Sequence, residues 1–285
     1  DSGESPTNLG EVVRRLVRDH GVTALVVGGS RENSIAVQHF SVMYDLPIVF
    51  TNLFGEDIPE QNRLLYSTFP SSSGLERGIR KFFEISGELE IVNSFLTSGE
   101  PGLSINRAIA RVAASNRVKV QTNIWEPSTA RDLRVDVIKM QSRPEKQGIF
   151  LGASYSIFLG WMKSFGFAPP ILASFEVLPL IDSGELPISQ LDGSYILTWR
   201  ISESFAKEYL KRFNLTATPE IAASYDAIQA IASVASINRR KFKEQLVNVD
   251  LNGALGKLNF DYRRGRKEAV GELLQVRGGL IEPVR

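Results

Sequence analysis

The sequence contains no cysteine. That one absence removes thiol catalysis, cysteine-ligated zinc and any disulfide framework. It also argues against a eukaryotic receptor ectodomain, a class that ordinarily carries disulfides. Histidine is nearly absent too: His20 and His39 stand 19 positions apart, outside the spacing at which two imidazoles share a metal. Neither sign of charge is in excess, with 33 Lys and Arg against 32 Asp and Glu and a formal net charge of +1. The longest basic cluster, Arg263-Arg264-Gly265-Arg266-Lys267, reads as a solvated turn. A nucleic-acid binder needs a basic stripe to displace counterions, so no nucleic-acid partner is expected. No apolar run reaches the roughly 18–20 residues that span a bilayer. The chain opens on Asp1, which is not a natural start, so a segment upstream is expected to have been removed.

What is present is an ordinary globular composition. Hydrophobic residues make up 43% of 285 positions, enough to bury a sizeable core in one large domain or two lobes. Short β-branched runs alternate with longer amphipathic segments. Strands are expected at 22–27, 48–51, 64–69, 90–95, 118–124, 148–151, 171–173, 195–199, 257–260 and 273–276, most of them continuous apolar runs of the kind that parallel sheets bury on both faces. Helices are expected at 9–20, 34–44, 75–86, 103–115, 129–140, 156–165, 204–213, 219–236 and 239–248. In the first of these, Leu9, Val12, Val13, Leu16 and Val17 share one face, with Thr7 placed to cap it. Strand-helix repetition through most of the chain predicts an α/β fold with right-handed crossovers. The softest stretches are Ser71–Gly74, Leu178–Gly193 and Asp261–Gly265. Trp125, Trp161 and Trp199 are expected to fill cores or a hinge layer.

Motifs for chemistry are missing. Gly-x-Ser-x-Gly, the phosphate-binding P-loop, His-Glu-x-x-His and the nucleotide fingerprint Gly-x-Gly-x-x-Gly do not occur. No catalytic residue, metal site or cofactor is therefore assigned, and a binding protein is expected in place of an enzyme.

Several segments, in order along the chain, resemble the type I periplasmic binding proteins, specifically the branched-chain amino-acid and amide-binding group. They are Val17-Arg18-Asp19-His20-Gly21-Val22-Thr23-Ala24-Leu25-Val26-Val27-Gly28, Asp45-Leu46-Pro47-Ile48-Val49-Phe50, the helix bearing Phe205, Tyr209 and Phe213, Ala222-Ala223-Ser224-Tyr225-Asp226-Ala227, and Gly253–Asp261. The resemblance implies two Rossmann-like lobes with parallel sheets flanked by helices. The first lobe would take 1–68 and 199–258, the second 69–198 and 259–285. It also implies that the family's N-terminal strand-helix-strand is missing here, so that the first lobe would be poorly closed, with apolar faces exposed.

Ligands in such a fold would lie in an interlobe cleft, outside the carboxyl ends of the parallel strands. In Gly28-Gly29-Ser30-Arg31-Glu32-Asn33-Ser34, the unpaired N–H groups of a helix start suit a carboxylate, and Asn33 and Ser34 match the family's hydroxyl-bearing positions best. Arg31 can clamp a carboxylate or pair with Glu32 or Asp57; Asn33 or Ser34 can equally be an N-cap. Thr51 and Asn52 match the next ligand loop, with Phe54 as an apolar wall, although Asn and Gly are also common turn residues. In the second lobe the resemblance places Ser154 and Tyr155 on one loop and Glu176, as partner of a ligand ammonium, on another. An N-cap role for Ser154 and an exposed helix start for Glu176 are the plain alternatives. Where the family carries an aromatic residue before glycine, this chain has Pro101 before Gly102, leaving Ser98 or Glu100 as substitutes.

The expectation is an extracytoplasmic receptor, periplasmic or lipid-anchored, that captures an amino acid, amide or short carboxylate for the membrane permease subunits of an ABC importer. The alternative is the same fold used as a regulatory or interaction module, either a sensor ectodomain or a lipoprotein that activates cell-wall synthesis. A filled cleft or an apolar patch on the outside of one lobe would favour it.

Overall fold

The computed structural model describes residues 6–29, 31–59, 61–96, 101–124, 133–152, 155–235, 239–260 and 269–284. The chain runs through helix α1 (Pro6–His20), strand β1 (Leu25–Val27), α2 (Arg31–Met43), β2 (Ile48–Phe50), β3 (Leu65–Ser67) and α3 (Glu76–Ile85). It continues with β4 (Ile91–Leu96), α4 (Pro101–Ser115), β5 (Lys119–Ile124), α5 (Leu133–Gln141), β6 (Gln147–Leu151) and α6 (Tyr155–Ser164). Then follow β7 (Ile171–Ser174), α7 (Val177–Asp182), β8 (Tyr195–Trp199), α8 (Glu203–Phe213), α9 (Pro219–Val234) and α10 (Arg239–Leu246). The strands β9 (Asp250–Gly253), β10 (Gly256–Asn259), β11 (Gly271–Arg277) and β12 (Leu280–Pro283) complete it. Among the described residues, no helix is long and apolar enough to cross a membrane.

The chain divides into two compact units, residues 1–74 with 200–269 and residues 75–199 with 270–285. The first holds a parallel sheet in the order β1-β2-β3 and an antiparallel hairpin of β9 and β10. Strand residues alternate between faces, so Ile48 and Phe50 of β2 join Val13, Val37 and Phe40 of α1 and α2 on one side. Val49 points the other way, into Ala227, Ala230, Phe242 and Leu246 of α9 and α10. This two-sided burial explains the unbroken Ile-Val-Phe run.

Among its described residues the second unit has seven strands in the order β12-β11-β8-β7-β6-β4-β5. The five from β5 to β8 are parallel, as the apolar runs predict; β11 and β12 are antiparallel additions. The fold class is thus α/β with parallel-rich sheets flanked by helices. Trp199 at the end of β8 is fully buried against Phe175, whereas Trp161 is half-buried beneath the Arg134 guanidinium, a cation–π contact. Trp125 lies outside the described residues.

Several local expectations need correction. Helix α1 begins at Pro6, so Thr7 lies inside its first turn and is not the cap. The Leu178–Gly193 stretch is not a plain loop, since it carries α7 and a 3₁₀ turn at Ile188–Gln190. The strand expected at 257–260 pairs antiparallel with β9, and the one at 273–276 pairs antiparallel with β8. An apolar run reports burial but says nothing about the direction of its neighbour. Strand β5 is an edge strand, largely exposed.

The Tyr-Asp-Ala segment of α9 explains the glycine-rich hairpin. Asp226 is fully buried, and its carboxylate accepts the backbone N–H groups of Ala254 at 2.6 Å and Leu255 at 3.2 Å. A Cβ on Gly253 would fall 2.4 Å from that carboxylate, so only glycine fits.

Candidate functional site

Strand β1 runs into Gly28-Gly29, where Gly29 has a φ of +88°, a conformation that suits glycine. The chain enters α2 at Arg31, three residues before the expected start at Ser34. Asn33 and Ser34 therefore sit in the first turn of the helix and not at its cap. Asn33 is half-buried. Ser34 is fully buried, and its hydroxyl donates to Asn52 Oδ1 at 2.8 Å. Asn52 Nδ2 in turn donates to the Gly29 carbonyl at 2.6 Å. Asn52 thus ties the loop after β2 to the turn after β1.

Arg31 donates from Nη1 to Asp57 Oδ2 at 2.6 Å, with Asp57 nearly buried, while Glu32 stays exposed. Asp57 is the one partner of this guanidinium among the described residues. A guanidinium has five N–H donors in a rigid fork, so the pair orients Arg31 without exhausting it. Thr51 is buried, and its N–H donates to the Val27 carbonyl at 3.0 Å. Phe54 is fully buried, its ring edge-on to Phe69 with centroids 5.2 Å apart. It lies beneath the loop, in the core.

Two features at these strand ends have no motif in the sequence. Glu56 Oε1 accepts the Ser72 N–H at 3.0 Å and also the Ser72 hydroxyl. Ser72 is thus bound to Glu56, and Leu75, at the cap position of α3, makes no side-chain bond. After β3, Thr68 Oγ1 donates to the Ala223 carbonyl at 2.8 Å, which draws the first turns of α9 to the end of the sheet. Thr218 caps that helix, with Pro219 at its first position. Next to it, burial pushes the Glu220 carboxyl above the usual carboxylate range, against opposing bonds from its own backbone and from Thr218.

In the second unit, Ser98 and Ser154 lie outside the described residues, as does Glu100. Pro101 opens α4 and Gly102 is buried behind it. A Cβ on Gly152, after β6, would lie 2.9 Å from Leu96 Cδ2 and 3.5 Å from Gly102 Cα, so the start of α4 and the end of β6 meet backbone to backbone. Tyr155 and Glu176 are brought together through Ser174, the last residue of β7. The Tyr155 hydroxyl is 2.6 Å from Ser174 Oγ, and Ser174 Oγ donates to Glu176 Oε2 at 2.9 Å. Tyr155 and Ser174 are buried and Glu176 is half-buried. Ser174 could have been suspected from the register of β6 beside β7, which the sequence alone does not state.

The two sets of strand ends differ in polarity. The first unit offers N–H donors from Arg31 and the start of α2; the second offers a carboxylate at the end of a hydroxyl chain. Taken separately, the first set suits an anionic group and the second a cationic one. Among the described residues, no three acidic or imidazole side chains come together as a metal would need.

A separate groove of about 650 Å³ lies on the first unit between α8, the start of α9 and the β9–β10 hairpin. Phe205, Tyr209 and Phe213 of α8 run along it with Tyr225 of α9; Phe205 and Tyr225 are 4.8 Å apart. Helix α8 buries none of its residues. None of the described candidate ligand residues lines this groove.

No protein-family model and no curated protein sequence matches the chain. Solved structures do. A leucine-binding protein from Thermotoga maritima aligns over 100% of this chain and 85% of its own, with a TM-score of 0.77 at 16% identity. A branched-chain amino-acid transporter substrate-binding protein from Streptococcus pneumoniae, in complex with isoleucine, covers 100% and 85% with a TM-score of 0.78 at 14% identity. A solute-binding protein from Rhodopseudomonas palustris, in complex with benzoate, covers 100% and 82% with a TM-score of 0.78 at 13% identity. What these proteins share with the chain at such identities is the fold, that of the type I periplasmic binding proteins.

Proposed function

We propose that this chain, which has the type I periplasmic binding protein fold, is an extracytoplasmic solute receptor, periplasmic or lipid-anchored. Its ligand is a small polar molecule with a carboxylate and an amine, passed on to the membrane subunits of an ATP-driven importer. The Tyr155–Ser174–Glu176 chain carries the reading, because a carboxylate held by hydroxyls at the ends of adjacent parallel strands is a ready seat for an ammonium. At the ends of β1 and β2, Arg31, oriented by Asp57, and the first-turn N–H groups of α2 suit a carboxylate. Asn33, Asn52, Ser98 and Ser154 complete the ligand set, with Ser34, Thr51 and Phe54 supporting it from below. The ligands named for the three structural neighbours (leucine, isoleucine and benzoate) are all small carboxylates.

The test is thermal unfolding against a library of amino acids, amides and short carboxylates, with and without Glu176→Ala. A ligand at 100 times its dissociation constant adds about 2.7 kcal/mol of stability. Glu176→Ala should abolish most of the shift from amine-bearing ligands; an undiminished shift would remove Glu176 from the site.

The aromatic groove on the first unit favours a second reading, an interaction module with no transported ligand. A library without a single hit, together with capture of a protein by a surface that includes Phe213 and Tyr225, would select it.

A further inference from the structure

We infer that Ser174 is a positioning residue that sets the polarity of the second unit's strand ends, and thereby selects ligands that present N–H donors; this rests on the solute-receptor reading above. The direction of the hydrogen bonds can be worked out. An ionised carboxylate only accepts, so the Ser174 hydroxyl proton goes to Glu176 Oε2, 2.9 Å away. A serine hydroxyl has one proton. The 2.6 Å contact with Tyr155 must then be filled by the tyrosine's proton. The order is Tyr155 O–H to Ser174 O–H to Glu176, each bond polarising the next.

Ser174 is fully buried and is the last residue of β7, with Ala173 of that strand in register with Leu151 of β6. Water therefore does not compete for its hydroxyl, and the sheet holds it in place. With its proton committed, any other bond that the Tyr155 oxygen makes is one it accepts, and both Glu176 oxygens accept as well. Every oxygen of the chain that can meet a ligand thus faces it as an acceptor. An ammonium or amide N–H is welcomed there, and a second carboxylate is repelled. Glu176 supplies the charge. Ser174 makes its carboxylate and the tyrosine act as one acceptor set; without it the two are uncoupled.

The experiment compares two ligand pairs that differ only in the amine, leucine with isocaproate and phenylalanine with hydrocinnamate, by calorimetric titration of the unsubstituted chain, Ser174→Ala, Tyr155→Phe and the double variant. Unsubstituted protein should prefer the amine-bearing member of a pair. Ser174→Ala should cut that preference about tenfold or more, the scale of a hydrogen bond to a charged group, mainly by weakening the amino acid. Tyr155→Phe keeps the ring in place and should have a smaller effect, and in the Ser174→Ala background it should add nothing, because both break one chain. A merely structural role would weaken both members of a pair equally. Equal weakening, or an unchanged preference in Ser174→Ala, overturns the inference while leaving the receptor reading intact. Failure of the unsubstituted chain to bind either pair sinks the receptor reading for amine-bearing ligands, and this inference with it.

Discussion

At the strand ends of the first unit, polar side chains tie two neighbouring loops together: Ser34 to Asn52, Asn52 to the Gly29 carbonyl, Arg31 to Asp57. At those of the second unit they form one continuous chain, Tyr155 to Ser174 to Glu176, across two strands. The contrast follows the sheets beneath. Among its described residues the first unit has three parallel strands of three residues each. So short a sheet offers few ladder bonds, and its loops and hairpin are held by side chains instead. Among the described residues the second unit rests on seven strands, all of them longer, and its ladders do more of the holding. A strand-end loop reads as a binding loop in either case. What its polar groups hold together is decided by how much scaffolding the sheet already provides.

The sharpest way to break this comparison is a methyl group at one glycine in each unit. Gly253→Ala puts a Cβ within 2.4 Å of the buried Asp226 carboxylate that holds the hairpin; Gly152→Ala meets a δ-methyl of Leu96 at 2.9 Å. The first should cost about 3 kcal/mol or more, because a buried carboxylate must abandon its N–H partners. The second should cost about 1–2 kcal/mol, because a leucine can shift. Urea unfolding followed by probes in each unit would check both, and equal costs would deny that side chains hold the first unit together.

Asn52→Ala should follow at about 1–2 kcal/mol, since it strands the buried Ser34 hydroxyl and frees the Gly29 carbonyl. Hydrogen exchange should then speed up around Gly28-Gly29 and leave the turn after β7 untouched. Unchanged exchange at Gly28-Gly29 would mean that the backbone alone sets this loop.

The smallest effect belongs to Glu220. Its folded carboxyl holds a proton more tightly than its unfolded one, because burial raises it. As pH rises, the unfolded chain ionises first, so the folded state loses stability from the ordinary carboxylate range up through the raised folded value. Glu220→Gln, which cannot ionise, should raise the melting temperature slightly at neutral pH and leave it unchanged at a pH where both states are protonated. A gain that persists at low pH would assign the effect to packing.

Much of the architecture was legible because periodicity reports burial. The run Ile48-Val49-Phe50 reads as a strand covered on both faces, and it is one. Phe205, Tyr209 and Phe213 recur every fourth residue and do share a helix face. Helix α7 was missed because it is six residues long and contains Pro179, and β9 because Asp250–Gly253 is polar and pairs only within a hairpin. At the candidate site, Tyr155 and Glu176 could be picked out by their places after strands. Ser174 could not, since its role depends on lying beside Tyr155, a residue 19 positions earlier.

Residue type and spacing by themselves determined the α/β class, most strand and helix positions, and the strand-to-helix loops in which polar residues collect. These are local consequences of side-chain period, chain stiffness and turn chemistry. Only the tertiary structure decided which strands run antiparallel, that Phe54 fills the core, that Arg31 pairs with Asp57 and not with Glu32, and that a serine joins a tyrosine to a glutamate. Each of those depends on which distant backbone lies alongside. Strand pairing and burial select that neighbour from the whole chain, where no short segment of sequence can.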